Sequence, residues 1–150
     1  MSAEPRRRFH DELAGLEAAI GEMGERAERA VGGAMAALAT GGVADAVVEA
    51  DDAIDDRYLD VERRILDLLA RQTPVASDLR LVSAILHINL HLERVGDIAV
   101  NIAKIANATR DLPRSEPILA ALVEMGDVVR PMLRASMEAF ARRDLDLARR

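Results

Sequence analysis

The chain has 150 residues, a net charge of −6 and no cysteine. The missing cysteine excludes disulfides, thiolate metal sites and thiol catalysis, and the negative charge argues against nucleic acid as the partner. Half of the residues are hydrophobic but only 2% are aromatic, so the core must consist of aliphatic side chains and alanine, which favour helices. No apolar segment is long enough for a signal peptide or a membrane span, and we expect a soluble, cytoplasmic protein.

Apolar residues at steps of three and four predict long amphipathic helices. After a basic tail over residues 1–8, the first helix runs from Phe9 to about Leu38 and ends at Thr40-Gly41-Gly42. The second begins near Val43 or Ala44 and runs to about Arg71, with Asp51 in the gap of its apolar stripe.

The third helix is expected from Val75 to about Thr109, with Thr73 as its cap and Pro74 in its first turn. A fourth runs from about Glu116 to Arg142, and residues 144–150 begin a fifth. Helices of this length joined by short turns are typical of antiparallel bundles. We therefore predict an all-α fold, a spectrin-like up-down-up three-helix bundle with an additional long helix.

An internal repeat relates the fourth helix to the first. Glu22-Met23-Gly24-Glu25 returns as Glu124-Met125-Gly126-Asp127, at an offset of 102 residues. We interpret residues 9–109 as one complete three-helix unit and residues 115–150 as a partial second unit, so the chain resembles a truncated two-repeat protein. The unmatched helix has an apolar face to cover, which predicts a homo-oligomer, most simply a dimer.

Carboxylates four residues apart form two pairs within apolar helical stretches, Asp51 with Asp55 and Glu93 with Asp97. Side chains at this spacing lie one above the other on a helix, and two antiparallel helices can bring the pairs together. Clustered carboxylates are costly unless a cation neutralises them. Oxygen ligands suit iron, manganese, zinc, magnesium or calcium, and spacing does not choose among these metals.

Two other interpretations of these acids remain open. In a purely structural, oligomerising bundle they would pair with Arg57, Arg63 and Arg94. In a carboxylate-bridged metalloenzyme, Glu-x-x-His motifs would accompany them, but none of the three histidines has a carboxylate three residues before it. The basic runs at residues 6–8 and 142–143 are typical of solvated ends, and a second interpretation is contact with an anionic membrane surface or an acidic partner face.

Three segments resemble the PhoU family of bacterial phosphate-signalling regulators. They are Gln72 to Val82, Leu92 to Ile102, which contains the motif Leu-Glu-Arg-Val-Gly-Asp, and Glu49 to Asp55. The resemblance covers most of residues 9–108. It implies a fold of two three-helix repeats and metal clusters of iron or zinc held by acid-x-x-x-Asp motifs.

Carried over residue by residue, the resemblance places metal ligands at Asp51, Asp55, Glu93 and Asp97, with Glu62 and Asn101 as weaker candidates. Asp52 and Asp56 offer the same spacing one residue on. The resemblance also implies an adaptor without enzymatic activity, which links a phosphate ABC transporter and its ATPase to a sensor histidine kinase. Such an adaptor is a negative regulator of phosphate uptake and of the phosphate-starvation response.

Overall fold

The computed structural model describes residues 3–150, with side chains from residue 6 onward, as six α-helices and no strand within that range. The predicted all-α fold is therefore confirmed. Four helices are long, namely α1 (Ala3–Thr40), α3 (Asp51–Arg71), α4 (Ser77–Thr109) and α5 (Glu116–Arg142). Two are short, α2 (Asp45–Glu49) and α6 (Leu145–Ala148).

Helix α1 is longer at its start than the sequence pattern indicated. It begins at Ala3, so the basic segment predicted as a tail is helical from residue 3, and residues 1 and 2 lie outside the described part of the chain. The apolar pattern missed the start of α1 because polar residues there do not contribute to the pattern. Arginine is nevertheless a good helix former. The predicted end is confirmed, because Gly41 has a φ of +69° and its N–H donates to the carbonyl of Ala37.

The second predicted helix is interrupted. Helix α2 ends at Glu49 and α3 begins at Asp51, with Ala50 between them at φ −79° and ψ −7°. The two pieces are held by different contacts: Asn107 of α4 accepts from the N–H of Ala44 and donates to Asp45, whereas α3 packs on α1 and α4 further along. The interruption at Ala50 lies between the part held by Asn107 and the part packed on α1 and α4.

The predicted cap of α4 was wrong. The chain is extended at Gln72, with φ −137° and ψ 147°, and α4 begins only at Ser77, after Ala76 with a φ of +49°. Proline disfavours helical backbone in the residue before it, so Thr73 and Pro74 belong to the linker. Helix α5 has the predicted bounds and carries proline in its first turn, and Asp144 caps α6 by accepting from the N–H groups of Asp146 and Leu147.

Helix α3 packs antiparallel to α1. Cross-contacts near both ends show this: Arg71 and Arg57 of α3 pair with Glu12 and Glu22 of α1, in reverse order along the two helices. Helix α1 lies at the centre and contacts α3, α4 and α5. Its buried stripe is built from aliphatic residues and alanine, namely Leu13, Leu16, Ala19, Ile20, Met23, Ala27, Ala30, Val31, Ala34 and Ala37. Alanine along this stripe lets the neighbouring helices approach closely.

Helix α5 packs on α1 with a local two-fold relation. Gly24 of α1 lies against Met137 of α5, and Gly126 of α5 lies against Met35 of α1. Both pairs are related by the offset of 102 residues. Glu28 forms ion pairs with Arg130 and Arg134 across the same interface. The repeated helices therefore meet through equivalent surfaces, antiparallel to each other.

Candidate metal centre

The candidate site lies at a close contact between α3 and α4. A Cβ atom added at Gly96 would lie 2.9 Å from Cδ1 of Ile54, so glycine is what allows this approach. Ile54 and Gly96 are both buried. Asp55 and Asp97 follow them directly in sequence, and the close contact therefore brings these two carboxylates to the same edge of the interface.

Three carboxylates converge at this edge. Asp51, Asp55 and Asp97 each offer one oxygen, and the three oxygens lie within 4.8 Å of one another. Two oxygens that bind the same ion, each at a metal–oxygen distance of roughly 2.0–2.6 Å, lie at most about 5 Å apart. The spacing fits a single cation between the two helices, and the sequence prediction named all three residues.

Glu93 lies beside this group. Burial raises the pKa of the Glu93 carboxyl, and the neighbouring charges of Asp97 and Asp55 and a hydrogen bond with Asp97 raise it further, while Arg94 acts in the opposite direction. Burial also raises the pKa of Asp55, followed by the charge of Asp51 and then of Asp97. The protein thus holds several negative charges together at a cost, which a bound cation would remove.

One oxygen of the cluster lacks a partner. Oδ1 of Asp51 is buried and accepts no hydrogen bond from any described residue, although buried polar atoms are nearly always satisfied. Two of the three arginines named for this role are engaged elsewhere: Arg57 pairs with Glu22 at 2.8 Å and Arg63 with Asp60 at 2.7 Å. The third, Arg94, acts on Glu93 through its charge. Within residues 6–150, no ion pair reaches Asp51, Asp55 or Asp97. A hard or borderline metal ion fits this donor set.

The remaining candidates lie outside the group of three. Glu62 is half-buried, about two turns beyond Asp55, and Asn101 is exposed, one turn beyond Asp97. Asp52 and Asp56 are exposed and act on Asp55 only through their charge. The geometry therefore favours the pair Asp51 and Asp55 over the alternative one residue on.

The cluster lies at the rim of the bundle rather than on its core-facing stripe. Asp55 and Asp97 are exposed, whereas Asp51 and Glu93 are half-buried. Ile54 and Gly96 occupy the interface itself and leave their acidic neighbours at its edge.

Asn89 is a structural residue that the apolar period did not reveal. It is fully buried, and its Nδ2 donates to the backbone carbonyl of Tyr58 at 3.0 Å, whereas its Oδ1 has no partner among the described residues. It lies one turn before Glu93 on α4 and links α4 to α3 through this bond. The sequence did contain a signal for this residue: a polar side chain interrupts the apolar stripe of α4, the helix that carries Glu93.

Fold and site together define a helical-bundle protein with a carboxylate cluster between two helices of one three-helix unit. A family model, the PhoU domain, matches residues 20–106, and the chain belongs to the PhoU family.

Similar proteins span almost the whole chain. A "Phosphate-specific transport system accessory protein PhoU homolog" of Caulobacter vibrioides is 35% identical over 142 residues, which are 93% of this chain and 62% of that protein. A protein of the same name from Pseudomonas putida is 37% identical, and the match covers 56% of that protein. The crystal structure of PhoU from Pseudomonas aeruginosa matches with a TM-score of 0.88 at 34% identity, over 93% of this chain and 68% of that one.

These comparisons confirm the resemblance inferred from the motifs. The chain spans about three fifths of the length of the first relatives it matches. The relatives' names describe accessory proteins and give no enzymatic activity. No helix within residues 3–150 is both long and apolar enough to cross a membrane.

Proposed function

We propose that this chain is a metal-binding helical adaptor that acts as a negative regulator of phosphate uptake and phosphate-starvation signalling in the cytoplasm. It links the ATPase of a phosphate ABC transporter to a sensor histidine kinase and has no catalytic role of its own. Membership in the PhoU family and the names of the relatives support the regulatory part. Each partner contact is proposed for this chain on that basis.

The observation that carries the metal part is the convergence of three carboxylates with a buried, unpartnered Oδ1 on Asp51. Asp51, Asp55 and Asp97 would hold the ion, iron or zinc in the first instance, and Glu93 would adjoin it. The ion supplies positive charge that offsets the repulsion among these carboxylates. It would thereby tie α3 to α4 and stiffen the helix pair.

Metal content tests this part directly. Protein purified without an affinity tag is measured by elemental mass spectrometry before and after treatment with a chelator, and its thermal melt is followed in parallel. We expect metal in a definite ratio to chain and a lower melting temperature after chelation. A metal-free protein whose melt ignores both added metal and chelator would contradict the site and favour the purely structural bundle.

The regulatory part needs a cellular readout. In a bacterium that lacks its own PhoU, expression of this chain should lower a phosphate-starvation reporter in phosphate-rich medium. Asp97→Ala should weaken this effect, whereas Asp127→Ala removes an exposed acid on α5 and should leave it intact. If both variants lower the reporter equally, regulation does not depend on the metal site.

Two further contacts belong to this proposal. We expect a homodimer, because α5 exposes large apolar side chains within the described part of the chain. The exposed arginines at residues 6–8 could also bring the adaptor to an anionic membrane surface near the transporter. Loss of vesicle binding upon their replacement by serine, measured by co-sedimentation with anionic vesicles, would test this contact.

A further inference from the structure

The short helix α2 is capped by a residue of another helix. Its N-cap, Ala44, has no side-chain oxygen that could accept a hydrogen bond, and Ala44 is only 2% exposed. Asn107 of α4 takes over this role. Its Oδ1 accepts from the N–H of Ala44 at 2.9 Å, and its Nδ2 donates to Oδ1 of Asp45 at 2.8 Å. The first N–H group of the helix is therefore satisfied from across the bundle.

A second contact holds α2 against α1. A Cβ atom added at Gly33 of α1 would lie 2.6 Å from Cγ2 of Val47, so glycine at this position lets α2 lie close to the backbone of α1. Val47 and Val48 both pack against the core. A helix of five residues is not stable by itself in water. The contacts with α1 and α4 are therefore what keeps α2 in place.

Helix α2 directly precedes the carboxylate of the cluster that has the least support from its own helix. Asp51 is the first residue of α3 and is separated from α2 by Ala50 alone. Helix ends fray, because the N–H groups of the first turn have no partner within the helix. Asp55 and Asp97 lie further inside their helices. Asp51, which also carries the buried and unpartnered Oδ1, thus depends most on what precedes it.

Asp51 lies between two points at which the α2–α3 segment is attached to α4. One is the contact of Ile54 with Gly96, and the other is the hydrogen bond of Ala44 with Asn107. The two points are ten residues apart on the α2–α3 segment and eleven on α4, which at about 1.5 Å per residue gives roughly 15 and 17 Å. The spans are nearly equal, so the segment runs alongside α4 between them. Release of the Asn107 end would leave Asp51 held from one side only.

We propose that Asn107 is a positioning residue for the candidate metal centre: by capping α2 it holds the first turn of α3, and Asp51 with it, in the arrangement that binds a cation. This inference rests on the metal-binding part of the proposed function. Coupling between two such events is reciprocal, so α2 is held more firmly on α1 and α4 when the site is filled. Helix α2 is then the part of the surface that differs between the metal-bound and the metal-free chain.

An exchange of two side chains tests the role of Asn107. Asn107→Asp places a carboxylate against Asp45 and should release α2. Asp45→Asn combined with Asn107→Asp restores both hydrogen bonds, because the new carboxylate can accept from the N–H of Ala44 and from the new amide. Thr109→Ala is the control: it removes a polar side chain at the same end of α4, whose Oγ1 donates to the carbonyl of Ile105 in its own helix.

Zn²⁺ affinity is measured by calorimetric titration of the metal-free proteins. We expect Asn107→Asp to bind Zn²⁺ roughly five- to tenfold more weakly than wild type, and the double variant and Thr109→Ala to bind it like wild type. The negative charge that Asn107→Asp adds would by itself strengthen cation binding, and it lies about 15 Å along α4 from Asp97. A loss of affinity is therefore due to the release of α2.

Amide hydrogen exchange separates positioning from a general loss of stability. In the metal-free chain, Asn107→Asp should speed exchange over residues 47–52 and leave the middle of α4 unchanged. Zn²⁺ should slow exchange over residues 47–52 in wild type but not in Asp55→Asn, which lacks one of the three converging carboxylates.

The possible failures are distinguishable. If Asn107→Asp exchanges faster over residues 47–52 yet binds Zn²⁺ like wild type, α2 does not support the site, and this inference fails while the metal proposal stands. A loss of affinity that the double variant does not restore, or that Thr109→Ala shares, would also overturn it. A wild-type chain that binds no Zn²⁺ would overturn this inference and the metal proposal together.

Discussion

The side-chain amide of Asn89 donates to the backbone carbonyl of Tyr58 at 3.0 Å, from a position with no exposure to solvent. This contact crosses from α4 to α3 one turn before Glu93, next to the carboxylate cluster. Its Oδ1 stays unsatisfied among the described residues, which carries an energetic penalty. We infer that Asn89 contributes register more than stability.

Replacing Asn89 separates these two contributions. Asn89→Leu should keep the free energy of unfolding within about 1 kcal/mol of wild type or raise it, because the unsatisfied oxygen disappears. Metal affinity should fall, since the α3–α4 register is then less specified. Denaturant unfolding and metal titration measure the two effects. Asn89→Ala should lose about 2 kcal/mol or more through the cavity it leaves; equal metal affinity in all three proteins would contradict the register role.

Gly96→Ala should disturb the contact that places the cluster. The new Cβ would lie 2.9 Å from Cδ1 and 3.2 Å from Cγ2 of Ile54, and a β-branched side chain has little rotamer freedom to yield. We expect a loss of about 1–3 kcal/mol of unfolding free energy and weaker metal binding.

Gly21→Ala is the control for Gly96→Ala. Gly21 is helical, and an added Cβ there meets nothing within 4 Å. Alanine should stabilise the helix by about 0.5–1 kcal/mol, so the two substitutions should shift the urea midpoint in opposite directions. Shifts of the same sign and size would show that Ile54 does not hold α3 and α4 at this distance.

The sequence predicted the helix ends marked by Gly41 and by the proline near Glu116, misplaced the start of α4 despite Pro74, and missed the features without such signals. Gly41 and the proline near Glu116 mark helix ends by their backbone preferences. The break at Ala50 has no proline or glycine to mark it, and it separates α2, whose start is anchored by Asn107, from α3. Likewise, apolar residues at steps of three and four locate the α3–α4 interface. They do not show that Gly96 sets the distance between the two helices.

The carboxylates should divide into ligands and bystanders. Asp55→Asn removes one of the three converging groups, whereas Asp56→Asn removes an exposed charge one residue further along the same helix. We expect Asp56→Asn to bind metal in the wild-type ratio and to melt at a lower temperature after chelation. Asp55→Asn should bind little metal and melt independently of chelator. Metal loss in Asp56→Asn with retention in Asp55→Asn would move the site to the alternative pair.

Without metal, the cluster should make stability fall as pH rises. Burial and neighbouring carboxylates raise the pKa of Asp55 and of Glu93 in the folded chain. Between the unfolded and folded pKa values, the folded state binds more protons than the unfolded state, so each group's contribution becomes less favourable as pH rises through that interval. The penalty is absent below the unfolded pKa and complete above the folded one.

The double variant Asp55→Asn with Glu93→Gln removes the two carboxyls whose pKa is raised and leaves the other acids in place. The metal-free double variant should be more stable than wild type at neutral pH, and the difference should shrink as pH falls through the carboxyl range. Denaturant unfolding in the presence of chelator, repeated across pH, gives both curves. Added metal should reverse the order at neutral pH, because the charges that repel one another in the free chain are the charges that bind the ion. A stability difference that does not change with pH would mean that these two carboxyls titrate alike in the folded and unfolded states.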